Sequence, residues 1–476
     1  MTILRTNKLL SPSGLYKATF IVVFFCLWLL RVWKLWQVGL FDYDSAKNYL
    51  ILTELYNDNF HNFFHHASPG FYLFYFLCYL VTPNYLVLEV ITALFATLSI
   101  FIFASYVPIK VRAWFCLLLG TSFFLMASSR YFAIESLSLL LFSLFVKHYF
   151  HSYTKRHQRL SGLLLGLLFT VNYKAILVIF FVLLYELGRF FFFKERRYLL
   201  QNSWVIVLPS VGFMLLGLAF QLPFLRYPAT IYHIFWQPTY IQSGWQDYLF
   251  YFKYLLHFEH IILLPLLLVG ILTLINKPSI INSKVLYFIV CTFLILIVMS
   301  FLPKAPRGIL FLYPVFYFIV FYVLERYLSS RWYWAFILVS VSIQLYRFDT
   351  HVYNYAKSEY QGLQKIVTQQ APNSISSWII PPLKPLSTEI PVTQVVKNSA
   401  TAQRFMLLSC FPKIATLPSP NFTSEYKVIW QGYDLNILQP MVFLESAEFT
   451  GRTYEECWAA QRRLLKDSCT TQLIIY

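Results

Sequence analysis

The sequence predicts an all-α polytopic membrane protein of about 11–13 transmembrane helices, followed by a small α/β domain outside the membrane. Three observations predict it. Of 476 residues, 58% are hydrophobic and only 12% charged, and a soluble domain carries about twice that charged share. With a mean hydropathy of +0.58, this excludes a soluble globular enzyme. The apolar residues fall in long unbroken runs, which excludes the alternating segments of about ten residues that build a membrane β-barrel. The runs stop near residue 348, where the chain turns polar and rich in short strand-like stretches. The expected domains are therefore 1–348 in the membrane and 349–476 outside it.

The net charge of +17 belongs to the membrane part. Residues 1–348 hold 27 Lys and Arg against 11 Asp and Glu, and residues 349–476 hold 11 against 10. Basic residues in short loops orient the spans and favour anionic lipid. No basic stripe on a readable fold suggests a nucleic-acid partner. Cys26, Cys78, Cys116 and Cys291 sit in apolar runs and read as small buried hydrophobes. Cys410, Cys457 and Cys469 lie in the tail, where an oxidising compartment would allow one disulfide. The first apolar run leads straight into Arg31 and Lys34 without a small-residue cleavage site, so no cleavable signal peptide is expected.

Apolar segments fall at about 15–36, 69–82, 85–107, 113–128, 131–149, 160–172, 175–193, 203–225, 261–275, 285–302, 308–324 and 332–346. A crossing needs about 20 residues, so 69–82 and 160–172 are short. Charge settles the parity. If 69–82 lies along the membrane or re-enters, 17 Lys and Arg fall inside and 9 outside, leaving Arg347 aside. If 69–82 crosses, the tally reverses. The positive-inside rule selects the first arrangement: eleven spans, with the tail outside. The expected location is a bacterial inner membrane, with the functional face towards the periplasm. In the tail, strands are expected at Ser377–Ile380, Ile390–Val396, Phe405–Cys410, Lys427–Trp430 and Leu473–Tyr476, and a helix at Thr453–Leu465.

The outer side then holds the residues that carry chemistry. The first outer loop, 38–68, contains Asp42 and Asp44 directly after the first span. Carboxylates two apart at the membrane surface can bind a divalent cation or share base duty, or they mark a loop that must stay wet. The few outer cations sit at tight turns: Arg130, Lys174, and Lys304 with Arg307. Cations at headgroup depth suit a lipid phosphate, which Arg can engage bidentately. A single such residue could equally snorkel to a lipid headgroup. Three separate turns point to a shared anion site. Glu135 opens an otherwise apolar span, where an ionisable group is costly and a functional candidate. Pairing with Arg130 is the alternative. Glu89 and Glu186 read as packing or interface residues. The aromatics of 226–260 read as an interfacial belt, and the spacing of His233, His257 and His260 suggests no zinc site.

Four motifs in this order resemble those of the polytopic glycosyltransferases of the GT-C fold, in particular bacterial members similar to the protein O-mannosyltransferases and the lipid A aminoarabinose transferase. Asp44-Ser-Ala-Lys-Asn-Tyr49 resembles the family's Asp-Glu-Ala-x-x-Tyr. His66-Ala-Ser-Pro-Gly-Phe-Tyr72 resembles the Pro-Pro-Leu-Tyr segment that closes the loop. Ser129-Arg-Tyr131 with Glu135 resembles the second outer motif. Arg307-Gly-Ile-Leu-Phe-Leu-Tyr-Pro314 resembles the late Arg-Tyr-Leu-Leu-x-x-x-Pro. The resemblance covers about residues 15–346, and the tail matches in position only. The family's second acidic residue is Ser45 here. Asp42 stands on the other side of Asp44, so a divalent metal on Asp42 and Asp44 stays open.

The resemblance implies inverting sugar transfer from a polyprenyl-phosphate donor to a lipid, glycan or protein acceptor. Asp44, with Asp42, would act as general base. Arg130, Lys174 and Arg307 would hold the donor phosphate, and Glu135, Tyr131 and Lys304 would contact substrate. No cofactor besides the possible metal is implied. A lipid-linked saccharide flippase without transferase activity is the competing reading, although the inverted repeats of a transporter are not seen in the sequence.

Overall fold

The structure, a computed structural model, describes residues 12–37, 43–151, 154–193, 202–236, 247–276, 283–302, 304–327, 330–353, 363, 365, 366, 369, 375–377, 392–394, 405–408, 426–433, 453–459 and 470–475. The long helices are α1 (Pro12–Val32), α2 (Tyr43–Tyr56), α3 (Pro69–Val81), α4 (Tyr85–Phe103), α5 (Arg112–Gly120), α6 (Phe123–Ser128), α7 (Ile134–His151), α8 (Lys155–Val171) and α9 (Ala175–Phe193). They continue with α10 (Trp204–Ala219), α11 (Arg226–Trp236), α12 (Phe250–Phe258), α13 (Leu263–Asn276), α14 (Ser283–Ser300), α15 (Tyr313–Tyr327) and α16 (Ser330–Phe348). Tyr85–Tyr106 and Pro306–Tyr327, each 22 residues, are long and apolar enough to cross a bilayer. Large apolar side chains such as Ile21, Val22, Phe25 and Leu29 of α1 face outwards, as a lipid solvent requires.

Local chemistry places the helix ends. Asn84 caps α4 by accepting a hydrogen bond from the Leu86 amide at 2.9 Å, which satisfies one open donor of the first turn. Pro69 stands in the first turn of α3, where its missing N–H costs nothing. At 13 residues, α3 spans about 20 Å, short of the roughly 30 Å hydrocarbon core. It packs against α2, α4 and α8.

Several predicted single elements divide. The run 113–128 breaks at Thr121–Ser122 into α5 and α6. The freed amides of Phe123 and Phe124 donate to the Glu259 carboxylate at 3.2 and 2.9 Å, and Tyr317 donates to the same carboxylate at 2.6 Å. A buried acid thus replaces the missing rungs of the helix ladder. The run 308–324 opens as a 3-10 segment, Pro306–Leu312, before α15. Residues 226–260 carry two helices, α11 and α12, where the sequence suggested an aromatic belt. The loop 38–68 carries α2, which apolar contacts of Ile51, Leu52 and Leu55 fix against Phe71, Tyr75 and Phe132.

The tail carries a five-stranded mixed sheet, order β2-β1-β3-β5-β4. Its strands are β1 (Ile375–Ser377), β2 (Val392–Gln394), β3 (Phe405–Leu408), β4 (Lys427–Tyr433) and β5 (Thr470–Ile475). β1 pairs in parallel with β2 and β3, and β5 pairs antiparallel with β3 and β4. Cys116 and Cys457 are buried free cysteines, while Cys26 is exposed on α1 rather than buried. Cys410 and Cys469 lie outside the described residues.

Candidate active site

Asp44 stands in the first turn of α2. One turn on, Asn48 is buried and fixes the helix from two sides. Its Nδ2 donates to the Phe132 carbonyl at 3.0 Å, and its Oδ1 accepts from the Tyr72 hydroxyl at 2.9 Å. These bonds tie α2 to α3 and to the segment before α7, so the direction of Asp44 is set by packing rather than by a free loop.

Arg307 meets it from 263 residues away. Its Nη1 donates to Asp44 Oδ2 at 2.6 Å, with about a fifth to a quarter of each side chain exposed. Gly308, the next residue, is closely packed. A Cβ there would fall 2.4 Å from Met299 Cε and 3.0 Å from the Tyr251 hydroxyl. Glu135, in the first turn of α7 and 6% exposed, lies within electrostatic reach of Arg307, Asp44 and Lys174. Its Oε2 is buried without a hydrogen-bond partner. Lys174 follows α8 in a turn in which Asn172 Oδ1 accepts from the Lys174 amide at 3.1 Å. The structure thus gathers Asp44, Glu135, Lys174 and Arg307 from four separate parts of the chain.

His65 and His66 close the cluster. His66 and Ala67 adopt left-handed backbone angles, φ 50° and 51°, a conformation that costs non-glycine residues about 1–3 kcal/mol and collects at functional sites. The two imidazoles stand 3.9 Å apart, and both act electrostatically on Asp44. Burial, with His66 and Lys47 nearby, holds the His65 imidazole down at about 3, so it stays neutral at physiological pH. Burial pushes the Asp44 carboxyl up, but the Arg307 guanidinium and His66 more than offset it. The carboxyl is held below its ordinary range and is ionised at neutral pH.

No protein-family model matches the chain, and no curated protein matches it. Solved structures do. ArnT from Cupriavidus metallidurans bound to undecaprenyl phosphate aligns with a TM-score of 0.57 at 10% identity, covering 90% of this chain and 97% of that one. The apo form of the same protein aligns at 0.58 and 11% identity, with the same coverage. The chain has the GT-C fold.

Within this GT-C fold Arg130, Tyr131 and Lys304 make other contacts. Arg130 is 1% exposed and turns to the end of α1. Its Nη1 donates to the carbonyls of Arg31 and Trp33 at 2.6 and 2.7 Å, and its guanidinium lies 4.7 Å over the Tyr353 ring. A cation there complements the negative end of the helix. Glu89 faces Arg130 electrostatically. Tyr131 is buried in the core. Lys304 is 2% exposed and donates to the Leu302 carbonyl at 3.3 Å. Burial lowers its ammonium below the usual lysine range, against the pull of Asp247. Asp42 lies outside the described residues. Among the described residues no group of three or more His, Cys, Asp or Glu is arranged to hold a metal ion.

Arg130→Ala is therefore expected to act on stability, lowering it by about 2–3 kcal/mol through two lost charge-assisted bonds. Thermal unfolding in detergent measures this. Unchanged stability would instead rule out this structural role for Arg130.

Sequence reasoning missed Asn48, Tyr72 and Asn172 as orienting residues, and it left His65 and His66 unassigned. Neutral polar residues inside an apolar helix pattern were the available signal for Asn48. The left-handed His66–Ala67 turn has no signal in composition or spacing.

Proposed function

We propose that the chain is a membrane glycosyltransferase that moves a sugar from a polyprenyl-phosphate donor to a lipid, glycan or protein acceptor at the outer face of a bacterial inner membrane, with inversion. The reading rests on one contact, the Asp44–Arg307 pair at 2.6 Å, flanked by Glu135 and Lys174. That pair sets a carboxylate beside a guanidinium, with Glu135 in electrostatic reach of both and of Lys174. A carboxylate is the group needed to take a proton from an acceptor hydroxyl or amine. Fixed cations are what a leaving phosphate needs. Undecaprenyl phosphate is the ligand bound in the similar ArnT structure, and it has the chemistry of such a leaving group.

The step balances within these residues. The acceptor loses its proton to Asp44, and its oxygen or nitrogen bonds to the anomeric carbon from the face opposite the phosphate. The bond from that carbon to the phosphate oxygen breaks, and the electron pair stays with the phosphate. Arg307 and Lys174 stabilise the charge that develops there. Arg307 exchanges Asp44 for the phosphate when donor binds, which relieves the pull on the carboxyl and makes Asp44 a stronger base. Glu135 lies close enough to orient donor or acceptor.

The test is transfer by the purified full chain in lipid vesicles, supplied with polyprenyl-phosphate sugars and an extract of envelope acceptors. Donor-dependent release of polyprenyl phosphate is expected. Transbilayer movement of the donor without cleavage would replace this reading with a flippase.

A further inference from the structure

The C-terminal domain docks on the membrane part through α12, and α12 in turn lies under the Arg307 segment. The contacts on the tail side converge on Asp247, which is 8% exposed. Asp247 Oδ2 accepts from the Tyr454 amide at 2.8 Å, at the start of the tail's helical residues 454–459. Asp247 Oδ1 pairs with Lys253 at 3.0 Å, and Lys253 also pairs with Glu455 at 2.7 Å. The Tyr454 hydroxyl meets His257 Nδ1 at 2.6 Å, and the Trp458 ring stands 4.2 Å from the His257 ring.

The opposite side of α12 faces the site. The Tyr251 hydroxyl lies where a side chain on Gly308 would begin, one residue from Arg307. Lys304, buried three residues before Arg307, feels the charge of Asp247. Phe250, Tyr251, Tyr254, Leu255 and Phe258 are all buried, so α12 is packed on both sides and can transmit a displacement rather than absorb it.

We propose that Asp247 is a positioning residue. It is the joint by which the C-terminal domain fixes the 304–308 segment, and through it the guanidinium of Arg307. Asp247 acts through Lys304 and α12 and not on the reacting atoms. A buried carboxylate that takes the tail's backbone amide with one oxygen and Lys253 with the other, while facing Lys304, makes the site's anion-facing turn depend on the docked tail. That the turn serves donor phosphate rests on the transferase reading above. The joint itself does not.

Asp247→Asn in the full chain separates the two. The first readout needs no activity: amide hydrogen exchange of residues 304–312 should quicken about fivefold or more, as expected for a lost local restraint. The second is kinetic: KM for a polyprenyl-phosphate sugar should rise about fivefold with kcat within twofold, in the range of coupling through packed contacts. Lys304→Gln should reproduce the faster exchange and be non-additive with Asp247→Asn, and it carries the test if Asp247→Asn fails to fold. Lys427→Gln, exposed on β4 away from this cluster, serves as the control. Unchanged exchange in both variants overturns the joint. Faster exchange in a protein whose wild type neither binds polyprenyl phosphate nor transfers sugar sustains the joint and sinks the transferase reading.

Discussion

Asp44→Asn is expected to lower sugar transfer about 10³-fold, the middle of the range for losing a positioned general base. The substitution keeps the side chain's size and an oxygen for Arg307, so the contact with Arg307 and the packing of α2 through Asn48 are retained. Expression, membrane insertion and affinity for polyprenyl phosphate should stay within a few-fold of wild type. Initial rates in vesicles under saturating donor measure the effect. A variant working within tenfold of wild type would move the proton to another acceptor, with Glu135 the first to examine.

Arg307→Gln is expected to act twice. It removes the cation opposite the phosphate, which should raise KM for the donor about 10–100-fold, or about 1.4–2.8 kcal/mol. It also changes the pH dependence. In the wild type, burial pushes the Asp44 carboxyl up, and Arg307 with His66 brings it below its ordinary range. Activity therefore holds through neutral pH and is lost only as pH falls through that depressed value. Without Arg307 the burial contribution is the larger one left, so the loss begins at higher pH. The kcat/KM for the donor, which reports the free enzyme's groups, read from about pH 4 to 8 around the ordinary carboxylate range, shows the shift directly. An acid limb that stays in place would mean that Arg307 does not control Asp44.

The fold class was legible because bilayer physics leaves a coarse signature. Runs of about 20 apolar residues and sparse charge need no tertiary information. The breaks inside those runs were not legible. The α5–α6 break depends on Glu259, more than a hundred residues later, filling the ladder, and no local pattern encodes that. The same limit applies to the site. Asp44 and Arg307 were readable as an outer carboxylate and an outer cation at short turns, and their motifs resembled a known series. Arg130 carried the same signal, yet its Nη1 binds the carbonyls at the end of α1. A cation at a helix junction reads alike in sequence whether it faces a ligand or a helix dipole. Only geometry distinguishes the two.

The separation of 263 residues between Asp44 and Arg307 has a consequence for biogenesis. The early partner emerges from the ribosome and is threaded through the translocon long before the late one is made. Until the 3-10 segment ahead of α15 arrives, the first carboxylate lacks this guanidinium. The pair is therefore withheld from every nascent intermediate, and it forms only when nearly the whole bundle has closed around its own beginning.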